Sequence, residues 1–95
     1  MANKLYLENL GHIFSNAHVK DGIMNLGTSK RQIFDKIFSV IQQYISKAQN
    51  GSNQIYTKIN GYKVTIRFNY VDGHFRSINA FIGWASRVIG ILLKK

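Results

Sequence analysis

Apolar side chains recur at three- and four-residue intervals between residues 28 and 50, and at every second residue between 55 and 70. The first period belongs to one face of an α-helix and the second to one face of a β-strand. Ile33, Ile37, Val40, Ile41, Tyr44, Ile45 and Ala48 line the helical stripe, which Phe34 and Phe38 widen. Thr28 and Ser29 offer cap oxygens, Ser29-x-x-Gln32 has capping-box spacing, and Asn50-Gly51 is a helix stop. Ahead of this helix, Gly11, Gly22 and Gly27 interrupt any long element, so one short helix is expected near 16–24. Residues 1–10 read as a loosely packed lead-in.

The strand pattern is a hairpin. Ile55–Ile59 and Tyr62–Tyr70 flank Asn60-Gly61, a pair suited to a two-residue turn in which both positions need positive φ. That turn predicts Ile59 opposite Tyr62, Thr57 opposite Val64 and Ile55 opposite Ile66. One face then carries Ile55, Thr57, Ile59, Tyr62, Val64, Ile66 and Phe68, and should be core. The other carries Tyr56, Lys58, Lys63, Thr65, Arg67 and Asn69, and is basic, polar and aromatic. Asp72-Gly73 turns the chain into a third strand from His74 to about Trp84, where a bulge could flip the side-chain register. Arg87 to Leu93 reads as a fourth strand, with Lys94 and Lys95 as a solvated tail. Helices first and a meander of about four antiparallel strands afterwards make a single α+β domain over residues 1–95, with the helices on one face of the sheet.

Composition changes this picture through charge. The chain has 95 residues, of which 45% are hydrophobic and 18% charged, ordinary for a folded domain. Yet it holds 13 Lys and Arg against 4 acids, a formal charge of +9, which points to a polyanionic partner. The acids are Glu8, Asp21, Asp35 and Asp72. So few carboxylates disfavour paired-carboxylate glycosidase sites, two-metal nuclease sites and Ca²⁺ cages. With no Cys and only His12, His18 and His74, a zinc site lacks ligands, and no metal or cofactor is expected. The opening residues lack the apolar core of a signal peptide, and the apolar stretch Ala80–Leu93 is broken by Ser86 and Arg87. Stable membrane insertion is therefore not expected.

Metal-free RNA cleavage remains compatible with these residues. It needs a base for a ribose 2′-OH, an acid for the departing 5′-oxygen, and cations on the phosphorane. Imidazole serves as base or acid, because histidine as a residue type titrates near neutrality. Lys and Arg meet the phosphate, and hydroxyl or amide donors assist. His12 and His18 are six residues apart with Lys20 close behind, whereas His74, beside a tight turn, reads as an exposed turn residue.

The run GHIFSNAHVKDGIMNLG, the capped helix, and GSNQIYTKINGYKVTIRFNYVDGHFRSINAFIG together resemble the C-terminal toxin domains of bacterial polymorphic and contact-dependent toxins. They are similar to ribonucleases of the barnase–EndoU–colicin–RelE superfamily, over about residues 9–93. The resemblance implies helices packed on a small antiparallel sheet and a metal-independent ribonuclease, often acting on tRNA. It also implies delivery as part of a larger toxin, action in the target-cell cytoplasm, and an immunity protein, here expected to be acidic. A helix-borne His matches His12 or His18, basic residues match Lys20 and Arg67, and a strand hydroxyl or amide matches Ser77 or Asn79. The superfamily's Glu base has no counterpart, since Glu8 falls in the lead-in. RNA contacts are expected from Lys58, Lys63, Arg76 and Tyr56, with Phe75 a further stacking candidate that reads more readily as a core aromatic. The free domain is expected to be monomeric. A non-enzymatic nucleic-acid-binding module is the alternative reading, and a membrane-active toxin built on Phe81–Lys95 is a third.

Overall fold

Ser29 starts the long helix as its spacing predicts: its hydroxyl accepts from the Gln32 N–H at 3.1 Å. The Gln32 side chain reaches back past the cap, and its Oε1 accepts from the Thr28 N–H at 2.7 Å. In the computed structural model, which describes residues 3–94, this helix, α3, spans Lys30–Tyr44 and tightens into a 3₁₀ turn over Ile45–Lys47. Its inward stripe is the expected one, with Ile33, Phe34, Ile37 and Ile41 fully buried. The expected short helix is split by Gly22, whose φ of +100° ends one element and begins the next. α2 covers Asn16–Lys20, and a 3₁₀ turn covers Ile23–Leu26.

The expected lead-in is different in the structure. Met1 and Ala2 lie outside the described residues, but Asn3–Ile13 form a helix, α1. Leu5, Tyr6 and Leu10 pack on the core, and Ile13 is fully inside it. The feature that composition hides is Asn9, a buried polar residue in the middle of this helix. Its Nδ2 donates to the Leu5 carbonyl at 2.9 Å, and its Oδ1 accepts from the Ile78 N–H at 2.9 Å. Ile78 belongs to an outer strand of the sheet, so α1 satisfies part of an edge that would otherwise be open.

Four strands follow: β1 Gly51–Ile59, β2 Tyr62–Val71, β3 His74–Ile82 and β4 Ile91–Leu93. The β1–β2 register is the predicted one, with Ile59 against Tyr62, Thr57 against Val64 and Ile55 against Ile66. Asn60 and Gly61 sit at φ +52° and +82°, and Asp72 and Gly73 repeat that geometry at +50° and +81°. Both are the positive-φ turns that match the twist of paired strands. Ile55, Val64, Ile66, Phe68 and Ile78 then meet the buried stripe of α3 in one core. Tyr62, expected on the core face, sits at the hairpin tip and is 42% exposed.

The fold class holds, and the last strand's pairing differs. β4 is only three residues long, and it lies parallel to β1 on the opposite edge from β3, giving the order β3-β2-β1-β4. A meander would have placed it beside β3. Residues 83–90 instead cross the sheet, and the crossing ends at Gly90. A side chain there would meet the Ser52 carbonyl oxygen at 2.0 Å, and its φ is +77°. The tail is not free over its described part, because the Lys94 carbonyl accepts from Lys47 Nζ at 3.0 Å; Lys95 lies outside the described residues.

Two substitutions test this account. Asn9→Ala strands the buried Ile78 N–H and should lower unfolding stability by about 2 kcal/mol in urea titrations. Gly90→Ala combines positive φ with a backbone collision and should cost about 2 kcal/mol or more by the same measurement.

Candidate functional site

The sheet face opposite α3, read from the sequence as basic, polar and aromatic, is closed over its β1–β2 half by the crossing segment. Gln54, fully buried, organises the closure. Its Nε2 donates to the Arg87 carbonyl at 3.0 Å, and its Oε1 accepts from the Ile89 N–H at 3.0 Å and from Arg67 Nε at 2.8 Å. Arg67 Nη2 also donates to the Arg87 carbonyl, at 3.2 Å. Thr65 donates its hydroxyl to the Gly83 carbonyl at 2.7 Å and accepts from the Ala85 N–H at 2.9 Å. The Tyr56 hydroxyl donates to the Ala85 carbonyl, and the Trp84 indole donates to the Thr57 carbonyl at 3.0 Å. Irregular backbone lying on a sheet must find partners for its polar groups, and these side chains supply them. Arg67 therefore has a structural role alongside any catalytic one.

The β2–β3 half stays accessible. Cross-strand register sets Arg67 beside Asn79 and Asn69 beside Ser77. These four, with Ser52 and Ile89, line a cleft of about 110 Å³. Asn79 Oδ1 accepts from the Ala80 N–H at 2.9 Å, which leaves its amide N–H groups as donors. Three of the residues expected to handle phosphate, Arg67, Ser77 and Asn79, are thus brought together, and none of the four acids lines the cleft.

His18 reaches the same neighbourhood around the β3 edge. Ser15 caps α2 by accepting from the His18 N–H at 3.3 Å, which fixes the residue at the start of a short helix. His18 Nδ1 lies 3.0 Å from the Ile13 carbonyl oxygen. A carbonyl can only accept, so Nδ1 carries the proton and the neutral ring keeps its lone pair on Nε2. The imidazole packs on Phe81 with ring centroids 5.9 Å apart, and the Arg67 guanidinium carbon lies 5.0 Å from the centroid of that same phenyl ring. One aromatic ring thus has an imidazole and a guanidinium packed on it, and that guanidinium belongs to a residue of the cleft. Lys20, exposed, is two residues further along α2.

Other expected residues go elsewhere. His12 is exposed in the last turn of α1 and is not joined to Phe81. Lys58 turns toward α3 and lines a separate cleft with Asp35 and Lys36. Lys63 Nζ sits 4.8 Å from the Trp84 ring, and Tyr56 packs 5.9 Å from the same indole. Phe75 packs on the aromatic core, 5.4 Å from Phe38 and 5.0 Å from Tyr70, and is half-buried rather than enclosed. Arg76 and His74 line a further cleft between α1 and β3. Sequence reasoning passed over Gln54, Asn69, Phe81 and Trp84 as site residues. Period-two alternation through Ser77 and Asn79 already puts Phe81 on this face, whereas nothing local announces that Gln54 is buried. Among the described residues no three His, Asp or Glu side chains converge, and no helix is long and apolar enough to cross a membrane.

The family model described as bacterial toxin 35 matches residues 6–82, and the chain belongs to that family. No curated protein and no solved structure matches it. The matched span contains α1 from Tyr6 onward, α2, α3 and the three antiparallel strands, and so every residue of the His18–Phe81–Arg67 arrangement.

Replacing Gln54 by Leu keeps its volume and removes three hydrogen bonds at once. The expected result is a loss of about 2–4 kcal/mol in unfolding stability and faster tryptic cleavage after Arg87, read by mass spectrometry of the early fragments.

Proposed function

We propose that this toxin domain is an endoribonuclease that works without a metal, with tRNA as the expected class of substrate. The observation that carries the reading is the His18 imidazole, held through Nδ1 and packed on the ring that also receives Arg67. In the proposed reaction Nε2 takes the proton of a ribose 2′-OH, the O2′–P bond forms, and the P–O5′ bond breaks. Arg67 offsets the charge on the phosphorane, while Ser77 and Asn79 donate hydrogen bonds to its oxygens, and Lys20, two residues along α2 from His18, is a further cation for the substrate backbone. The leaving O5′ takes its proton from solvent, because His12, the other imidazole considered for acid catalysis, is exposed in the last turn of α1 and does not share the Phe81 ring. The products are a 2′,3′-cyclic phosphate and a 5′-OH.

Partner and delivery belong to the same proposal. A domain at +9 with a ribonuclease site would harm its producer, so an acidic immunity protein is the expected inhibitor, met by a monomeric toxin carried out as part of a larger one. A second reading, an RNA-binding module without chemistry, is favoured by Trp84. That ring is 45% exposed and flanked by Tyr56 and Lys63, which is how a stacking platform for unpaired bases is built.

Incubation with total tRNA in EDTA separates the two. Fragments ending in 2′,3′-cyclic phosphate are expected, and intact RNA with salt-sensitive retention would favour the module. His18→Ala should lower cleavage by ~10²–10⁴-fold with little change in urea unfolding, since the ring is at the surface edge of the fold. Cleavage at the wild-type rate would remove His18 from the reaction.

A further inference from the structure

The cleft between α1 and the start of β3 has a volume of about 520 Å³, within the range of small-ligand sites. Lys4 and Glu8, one helical turn apart, line its α1 side, and His74 and Arg76 line its β3 side. Asp72, a second carboxylate, lines it as well, with Val71 and Phe75 as its apolar wall, and the Asp72 backbone and side chain are both engaged by Asn50. The ion pair among the described residues is Arg31–Asp35, so neither Lys4 nor Arg76 is neutralised by contact with Glu8.

Arg76 reaches this cleft because the strand is irregular at that residue. Pairing runs Asn69 with Ser77 and then Tyr70 with Phe75, skipping Arg76. In an unbroken strand Arg76 would share the face of Ile78 and enter the core, while Phe75 would share the face of Ser77. The bulge turns Phe75 into the aromatic cluster and Arg76 outward, toward Lys4 and His74. Bulges of this kind re-aim single side chains next to functional sites. The next residue, Ser77, lines the phosphate-handling cleft. From Arg76 to Phe81 the strand advances about 17 Å, a distance that a few nucleotides span.

Building on the ribonuclease reading above, we infer that this cleft is a second nucleotide subsite for the same RNA strand. Lys4 and Arg76 meet a backbone phosphate distant from the scissile one, and His74 adds a donor. Glu8 cannot face phosphate and instead accepts from a base N–H. The carboxylate thereby limits the subsite to one phosphate and one nucleoside, which distinguishes it from a diffuse basic patch.

The test uses a fully 2′-O-methylated, single-stranded oligoribonucleotide, which cannot be cleaved by 2′-OH attack, so binding is read whether or not the domain is a nuclease. Its affinity is followed by fluorescence anisotropy from low to high KCl. The Lys4→Ala/Arg76→Ala double variant, checked for an unchanged circular dichroism spectrum, should bind roughly tenfold more weakly. Its log K against log salt slope should be shallower by about 0.7, the value for one single-strand phosphate. An unchanged slope and affinity would overturn the subsite, as would an equal loss for Lys47→Ala, a cation at the far end of α3. Absence of cleavage of unmodified RNA by the wild-type domain, with the binding difference intact, would instead overturn the ribonuclease reading and leave the subsite standing.

Discussion

The Gln54 amide is the point on which the polar half of the molecule rests. It is fully buried on the sheet face away from the core and has three partners: the Arg87 carbonyl, the Ile89 N–H and the Arg67 guanidinium. A buried amide with every group satisfied helps specify one conformation, while the same amide without partners would cost several kcal/mol, on the order of the stability of a small domain. The crossing segment and the sheet are therefore interdependent. Residues 83–90 have backbone groups that need partners, and Gln54, Thr65 and Tyr56 provide them only when the segment lies across the strands.

This constraint explains where the functional groups can be. By covering the β1–β2 half, the crossing leaves the β2–β3 half as the accessible part of a basic face, and it holds Arg67 from one side. Phe81 holds it from the other. A guanidinium gripped through Nε and Nη2, and resting on a phenyl ring, cannot wander as a solvated arginine does. Preorganisation of this kind is what electrostatic stabilisation of a phosphorane requires. His18 is positioned by separate means, a capped short helix and a backbone carbonyl, and meets Arg67 only through their shared ring. The low number of acids matters here too, because a carboxylate in this cleft would neutralise the guanidinium that the proposal needs.

Helix α1 shows how one element serves packing and surface together. Its inner side buries Ile13 and presents Asn9 to the β3 edge, and its outer side carries Lys4 and Glu8 to the second cleft. Residues 1–10 read as a loosely packed lead-in because Asn, Lys and Glu are interspersed among Leu5, Leu7 and Leu10. What makes it a helix with a fixed place is tertiary: the Ile78 N–H needs an acceptor, and Asn9 supplies one.

Local chemistry was enough to establish the capped helix α3, the Asn60-Gly61 and Asp72-Gly73 turns, the β1–β2 register, and the basic character of one sheet face. Each of these depends on neighbours within a few residues, where spacing, φ preference and side-chain alternation act directly. The resemblance names Arg67, Ser77 and Asn79, but the side-chain register of the third strand stays open until the fold sets Arg67 beside Asn79. Only the folded chain decided that β4 pairs with β1, that Gln54 is buried, that His18 rather than His12 meets Phe81, and that the bulge directs Arg76 outward. Those outcomes turn on contacts between residues distant in sequence, such as Gln54 with Arg87 and Asn9 with Ile78, whose free energies exist only once several elements have packed and which leave no local period to read.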